Sequence, residues 1–412
     1  MLRSNTVLFI IYFISILNIK SSAQSANPDT ADLQLLKQIS SLRSDLAQIR
    51  HKRFERLTLA DRDKVSGIIE ELFNRAEQKV LNTLPAGKFE WSWSGFDTPK
   101  DMVAQGEDFL KTLSMGADPF EGKFAEPGCY TVDHALIEKD GIYHLIYIRG
   151  CAATNWPEYP LFNFGHAVSR DLITWQIEKP VLQCPLSGVD EYQVWAPYIL
   201  KYKNQYWMFY AGVNNNVCQS ICLATSKDLY NWQRYEKSPV ITTGPWGLWD
   251  KNQWSDCRDP MVLQDGDNFY CYYAAGRINP ETQKHEYCLG ISSSKDLLTW
   301  KDEGFIRLEK SLDTPPESPF AVKHNEKYYI FYTNYKYGTT YITSNNPIKN
   351  WHELPVDKMS VIPEVSASEI LETKGKWYIT LISHIKNGLH FFEIRDLIWN
   401  VDGTVSVKPF NK

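Results

Sequence analysis

The feature that most constrains this chain is a segment it writes three times. Ser169 to Trp175 reads SRDLITW, Ser226 to Trp232 reads SKDLYNW, and Ser294 to Trp300 reads SKDLLTW; a looser fourth copy, SNNPIKNW, ends at Trp351. The four Trp positions are separated by 57, 68 and 51 residues. Ahead of each copy stand an apolar run, a polar or Gly-bearing turn and alternating aromatics: ALIEKDGIYHLIYI, YILKYKNQYWMFYA, MVLQDGDNFYCYYA and FAVKHNEKYYIFYT. A fifth such stretch, EILETKGKWYITLI, starts at Glu369. Alternation on both sides of a tight turn marks a β-hairpin. Self-similarity at a regular spacing means repeated units, each burying its apolar face on its neighbours. A helix-free unit of several short strands is a propeller blade. Five copies predict an all-β five-bladed β-propeller over residues 129–412. A β-sandwich would not call for near-identical segments at blade spacing.

The part ahead of the repeats is different. Leu35, Ile39, Leu42, Leu46 and Ile49 alternate in steps of four and three, a heptad seam. From about Asp61 a second apolar face follows through Val65, Ile68, Ile69, Leu72, Phe73, Ala76 and Val80. These predict an N-terminal α-helical extension over 24–84. It packs on itself or on the main domain, or serves as the arm of a homodimer, since a seam this short is marginal alone. Residues 85–128, with FEWSWSGFDTP, read as a lead-in to the propeller. The first 23 residues read as a secretory signal. Arg3 supplies a positive start, and VLFIIYFISIL is an apolar stretch too short to span a bilayer. Ser21-Ser22-Ala23 offers a cleavage site after Ala23. The mature chain is then expected to be secreted or periplasmic, with no membrane segment.

Charge excludes one class of partner. There are 44 Lys and Arg against 49 Asp and Glu, a net charge of −5 with no basic block, so nucleic acid is not expected. The 14 Trp, 23 Tyr and 19 Phe suit strands and, for some of them, stacking on sugar rings. Eight cysteines in an exported chain permit disulfides, and Cys129 with Cys151 could bridge neighbouring strands. Cys218 and Cys222 have no accompanying His pattern, so no zinc site is read.

In a propeller the innermost strand of every blade lines a central channel, so the residues just before it converge. Those residues are Tyr130-Thr131-Val132-Asp133-His134, Val194-Trp195-Ala196-Pro197, Arg258-Asp259-Pro260, Glu317-Ser318-Pro319 and Ser366-Ala367-Ser368-Glu369. Asp133, Asp259 and Glu317 place carboxylates at the same point of three repeats. Gathered in one funnel they repel, and their proton affinities must separate. Glycosidic cleavage needs such a separation: one acid protonates the leaving oxygen, and another carboxylate attacks or activates water. Arg258 can hold a carboxylate or a substrate hydroxyl. Trp195, His134 and Asp190 are further candidates to contact a carbohydrate, by stacking, by adjacency to Asp133 and from the rim, respectively.

The set resembles the five-bladed propeller glycoside hydrolases of families 43, 32, 62, 68 and 117. Those enzymes carry an Asp in the first blade, an Asp in an (R/I)DP motif and a Glu in an E-x-P motif. Asp133, the RDP residue Asp259 and the ESP residue Glu317 follow that order, 126 and 58 residues apart. WAP at Trp195 is similar to family 43, FGHAVSRDLITW to family 32, and the N-terminal helices to family 117, whose members dimerise through such a segment. The family 32 motif W-x-N-D-P-N-G is missing, and His134 stands where family 43 usually has Pro, so no single family is assigned. By resemblance, Asp133 is general base or nucleophile, Asp259 tunes proton affinity or stabilises the transition state, and Glu317 is general acid. No cofactor or catalytic metal is expected. By the same resemblance His384, in ISHIKN, falls near an axial position where a structural Ca²⁺ is allowed. Two other readings are a carbohydrate-binding propeller without catalysis and a propeller glycoside phosphorylase.

Overall fold

The repeated segment folds as one turn, closed by its own side chains. In the second copy Ser226 Oγ accepts from the backbone N–H of Asp228 (3.1 Å) and Leu229 (2.9 Å). Asp228 Oδ1 accepts from the N–H of Tyr230 (2.9 Å) and Asn231 (2.7 Å), and Trp232 Nε1 donates to the Leu229 carbonyl at 3.0 Å. The Leu is buried with a left-handed backbone in all three close copies: φ is 63° at Leu172, 72° at Leu229 and 67° at Leu297. In the fourth copy Asn346 Oδ1 takes the Asp's place, accepting from Ile348 and Lys349. Replacing Asp228 by Ala should cost about 1 kcal/mol, as for a lost cap, measured by urea unfolding. Those backbone donors hold the Asp228 carboxyl below its usual range despite partial burial. Its contribution is therefore present at neutral pH and lost as pH falls. The difference between the two proteins should shrink in acid.

The computed structural model describes residues 123–124, 129–151, 161, 163–185, 187–363, 366–384 and 390–410. The expected signal, the helical extension and most of the lead-in lie outside these. The first blade comprises β2 (Cys129–Lys139), β3 (Ile142–Cys151), β4 (Phe164–Ser169) and β5 (Trp175–Ile177). The second has β6 (Gln193–Tyr202), β7 (Gln205–Val213), β8 (Gln219–Ser226) and β9 (Gln233–Arg234). The third has β10 (Cys257–Asp265), β11 (Asn268–Ile278), β12 (His285–Ser294) and β13 (Trp300–Arg307). The fourth has β14 (Glu317–His324), β15 (Lys327–Asn334), β16 (Gly338–Ser344), β17 (His352–Glu353), a one-turn helix α1 (Val356–Met359) and β18 (Ser360–Ile362). The fifth has β19 (Glu369–Thr373), β20 (Lys376–His384), β21 (His390–Trp399) and β22 (Val405–Pro409). Each sheet is antiparallel and its first three strands meander outward in chain order; in the fourth blade β17 and β18 both pair with β16.

Apolar residues fill the seams between blades. One cluster joins Ile146 and Phe164 to Val194 and Tyr210; another joins Phe209 and Leu223 to Cys271 and Tyr273. The ring closes where Tyr143, Leu145 and Tyr147 of blade one pack on Tyr378, Ile382 and Phe392 of blade five. Closure is also made by main chain. Strand β1 (Lys123–Phe124) pairs with Glu393 and Phe392 of β21, so the propeller begins ahead of the expected start at residue 129. Cys129 and Cys151 are register partners across β2 and β3, the placement the expected bridge requires of the backbone. Six other cysteines are buried free thiols.

Candidate active site

Four of the five innermost strands share one irregularity that builds the site. In β2, β6, β10 and β14 the register slips between Thr131 and His134, Trp195 and Tyr198, Arg258 and Met261, and Glu317 and Phe320. Two residues then oppose one, which is a β-bulge. Pro197, Pro260 and Pro319 occupy the second bulge position, where the ladder is already broken and a missing N–H costs nothing. Ala196, Asp259 and Ser318 hold the first position with φ of 42°, 56° and 49°. The bulge re-aims side chains toward the axis.

The three expected carboxylates do meet there, but not from one equivalent slot. Glu317 precedes its bulge, Asp259 is the first bulge residue, and Asp133 the second. Ser318 ties them together. Its Oγ donates to Asp133 Oδ1 at 2.5 Å and its backbone N–H to Asp259 Oδ2 at 3.0 Å. Arg258 faces the same group. Its Nη2 donates to Glu317 Oε1 at 2.7 Å, and its Nη1 to Gln219 Oε1 at 3.2 Å and to Asp256 Oδ1. Its Nε lies 3.9 Å from Asp259 Oδ2. The other oxygen of Glu317 accepts from Tyr335 OH. Tyr335 sits on the turn after β15, which Asn334 holds by accepting from the N–H of Lys336 and Tyr337. At 22% side-chain exposure against 9% for Arg258, Glu317 is the more open of the two.

Burial sets the electrostatics. It pushes Asp133 up to about 6, opposed by the Ser318 bond and aided by Glu317. Asp259 is pushed well above the carboxylate range, by burial first and by Asp133 next. Burial works against the Arg258 charge, but Asp256, Glu317 and Asp259 outweigh it and keep the guanidinium ionised. If Asp133 acts as base or nucleophile, only its ionised form works, so kcat/KM should fall as pH drops below about 6. A pH profile of kcat/KM checks this; an acidic limb near 4 would disagree.

The remaining sequence candidates fall in different places. His134 lies beneath the site, buried, with Nε2 2.7 Å from Thr380 Oγ1. Trp195 is 7% exposed in the core between blades one and two, and its Nε1 donates to Gln193 Oε1 at 2.9 Å. Asp190 is not a rim residue: buried, it accepts from Tyr210 OH (2.8 Å) and Arg234 Nε (2.6 Å), which fastens blade two. His384 ends β20 opposite His390, and its side chain lies outside the described ones. Among the described residues no group of three or more His, Cys, Asp or Glu is arranged to hold a metal ion.

Asp256, Ser318, Tyr335 and Glu369 belong to the site and were not singled out from sequence. For Asp256 a signal existed: it stands two residues from Arg258, and alternate residues of a strand share a face. Glu369 also carried one, being a charged residue at the repeat position held by His134, Tyr198, Met261 and Phe320. Ser318 stood among the residues expected to converge on the channel, next to Glu317, whereas Tyr335 had no signal.

The chain is similar to known proteins. Residues 133–319 match the family model described as glycosyl hydrolases family 32 N-terminal domain. The chain is 33% identical over 129 residues to a bifunctional 6(G)-fructosyltransferase/2,1-fructan:2,1-fructan 1-fructosyltransferase of Allium cepa, covering 30% of this chain and 20% of that protein. It is 21% identical to a xylosidase/arabinosidase of Bacteroides ovatus over 69% of this chain and 97% of the other. The chain thus spans only about a fifth of the first of these relatives. A solved thermostable family-43 glycoside hydrolase superposes with a TM-score of 0.56 at 19% identity, covering 71% of this chain and 96% of that one. The fold is the five-bladed propeller of those hydrolases.

Proposed function

We propose that this propeller, similar in sequence to family 32 and in fold to family 43, is an exported glycoside hydrolase acting on a plant or algal oligo- or polysaccharide. The observation that carries the reading is the meeting of Asp133, Asp259 and Glu317, from three blades, around Ser318 and Arg258. Glu317, more open than Asp256 and Asp259, is the general acid. Arg258 must release it before it can carry a proton to the leaving oxygen, and an entering sugar hydroxyl is the group that can take its place. Asp133 is the base or nucleophile on the opposite side of the reacting carbon. Asp259, buried and protonated, keeps the local negative charge tolerable and donates toward substrate or Asp133.

The charge inventory narrows the substrate. Among the described residues Arg258 faces Asp256, Glu317 and Asp259, with Asp133 close by, and it is already engaged by two of these carboxyls. An uncharged sugar fits such a site; a phosphate or a uronate would compete with Asp256 and Glu317 for a guanidinium they already engage. Screening the purified protein against aryl-glycosides and plant and algal oligosaccharides should therefore give release of neutral sugar in phosphate-free buffer. Turnover that needs orthophosphate and yields a sugar phosphate would make it a phosphorylase. Binding without turnover would make it a non-catalytic propeller.

A further inference from the structure

Asp133 and Asp259 border a small cavity of about 30 Å³ whose wall is apolar at Pro197, Met261 and Phe320 and polar where Asp133, His134 and Glu369 meet. A space of this size accommodates one or two waters when its walls are polar. Its walls present two groups that want a partner. His134 Nδ1 is buried with no hydrogen bond. Glu369 reaches the cavity from blade five, and one of its oxygens, Oε2, accepts from the Leu136 N–H at 3.0 Å. That bond fastens the carboxyl to β2, three residues past Asp133. Among the described residues no cation offsets it: the groups facing Glu369 are Asp133, the Tyr198 hydroxyl and the His134 ring. Asp133 in turn faces Glu317, Asp259 and Arg258 from above and His134 and Glu369 from below. Desolvation drives Glu369 well above the carboxylate range; the Leu136 N–H bond opposes this and the Asp133 charge adds to it, which favours a retained proton.

We propose that Glu369 is a positioning residue for Asp133: it stays a carboxylic acid and, through an axial water shared with His134 Nδ1, donates a hydrogen bond that holds the Asp133 carboxylate from below. The role assigned to Asp133 rests on the glycosidase reading; the proton on Glu369 and its bond to Asp133 do not. At the reaction centre Asp133 then meets Ser318 on one side and the water on the other, so its free oxygen edge is fixed in direction. His134, with its ring pushed down to about 3 by burial, is neutral here and can serve the water as donor or acceptor.

The test is infrared difference spectroscopy, which needs no substrate. Wild type minus Glu369→Gln at neutral pH should show the C=O stretch of a protonated carboxylic acid that shifts in heavy water. A carboxylate band in its place overturns the proposal. Titrating the Asp133 carboxylate band, isolated by Asp133→Asn, then reads the coupling. Glu369→Gln keeps a neutral donor and should leave the Asp133 titration where it is in wild type. Glu369→Leu removes the donor and should move it to higher pH by about one unit, the scale of one lost hydrogen bond to a charged group. A move to lower pH in Glu369→Gln would mean that Glu369 is ionised, and no move in Glu369→Leu that it does not reach Asp133. Calcium that stabilises wild type but not Glu369→Gln against heat would mean a cation site in place of the water, and would equally overturn it. If the infrared results hold while no glycoside is cleaved, the glycosidase reading fails alone.

Discussion

Glu317→Gln is expected to lower turnover of natural glycosides by roughly 10² to 10⁴, the usual worth of a general acid, with folding intact. Substrates with poor leaving groups should lose most, because only they need the departing oxygen protonated. An activated aryl-glycoside should be partly spared. Asp133→Asn should harm both kinds alike, since attack or water activation is required in each case. Asp259→Asn should fall between, because the amide still donates a hydrogen bond but can no longer give up a proton. Steady-state kinetics on a matched pair of good and poor leaving groups decides it. Equal losses for Glu317→Gln on both substrates would remove Glu317 from the acid role.

Arg258→Met is expected to cost about 3–5 kcal/mol of folding stability, the penalty for stripping the partner from buried charges. Arg258 is buried, and its guanidinium touches Asp256 and Glu317 directly, with Asp259 close by. Without it these carboxyls share a buried space with no cation. The sign of the pH dependence follows. Carboxyls that hold their protons more tightly in the folded state than in the unfolded chain favour the fold in acid, and the benefit is lost as pH rises through their folded values. The deficit of Arg258→Met relative to wild type should therefore be largest at neutral pH and smaller near pH 4. Urea unfolding at several pH values measures it, and a deficit that is flat with pH would contradict this account. Arg258→Lys should not rescue, because an ammonium lacks the fork that serves Glu317 and Asp256 at once.

The fold was legible because its determinants are local. The Ser-x-Asp-Leu-x-x-Trp turn closes on its own backbone within a few residues. The hairpins close on Asp140-Gly141 and Lys374-Gly375, whose paired positive φ values are those of the tightest hairpin turns. Such signals survive in the order of residues, and repetition multiplies them. The convergence of Asp133, Asp259 and Glu317 was legible for the same reason: each stands at the mouth of an innermost strand, and the repeats align those mouths.

Position within the mouth was not legible. A bulge shifts the direction of a side chain by one residue, and only the pairing register reveals it; hence three carboxylates expected from equivalent slots arrive from three successive positions. Asp190 reads as a surface acid until Arg234 and Tyr210 are brought onto it. Trp195 reads as a stacking platform until the packing of blades one and two encloses it. The bond from Ser318 to Asp133 spans 185 residues of chain, and that from Leu136 to Glu369 spans 233. The sequence by itself determined the blade, its count and the convergence of Asp133, Asp259 and Glu317, since these depend on patterns within one repeat. Which of those acids is paired, which is protonated and which lies open was decided by closure of the ring, because charge and burial act between blades that only the tertiary structure brings together.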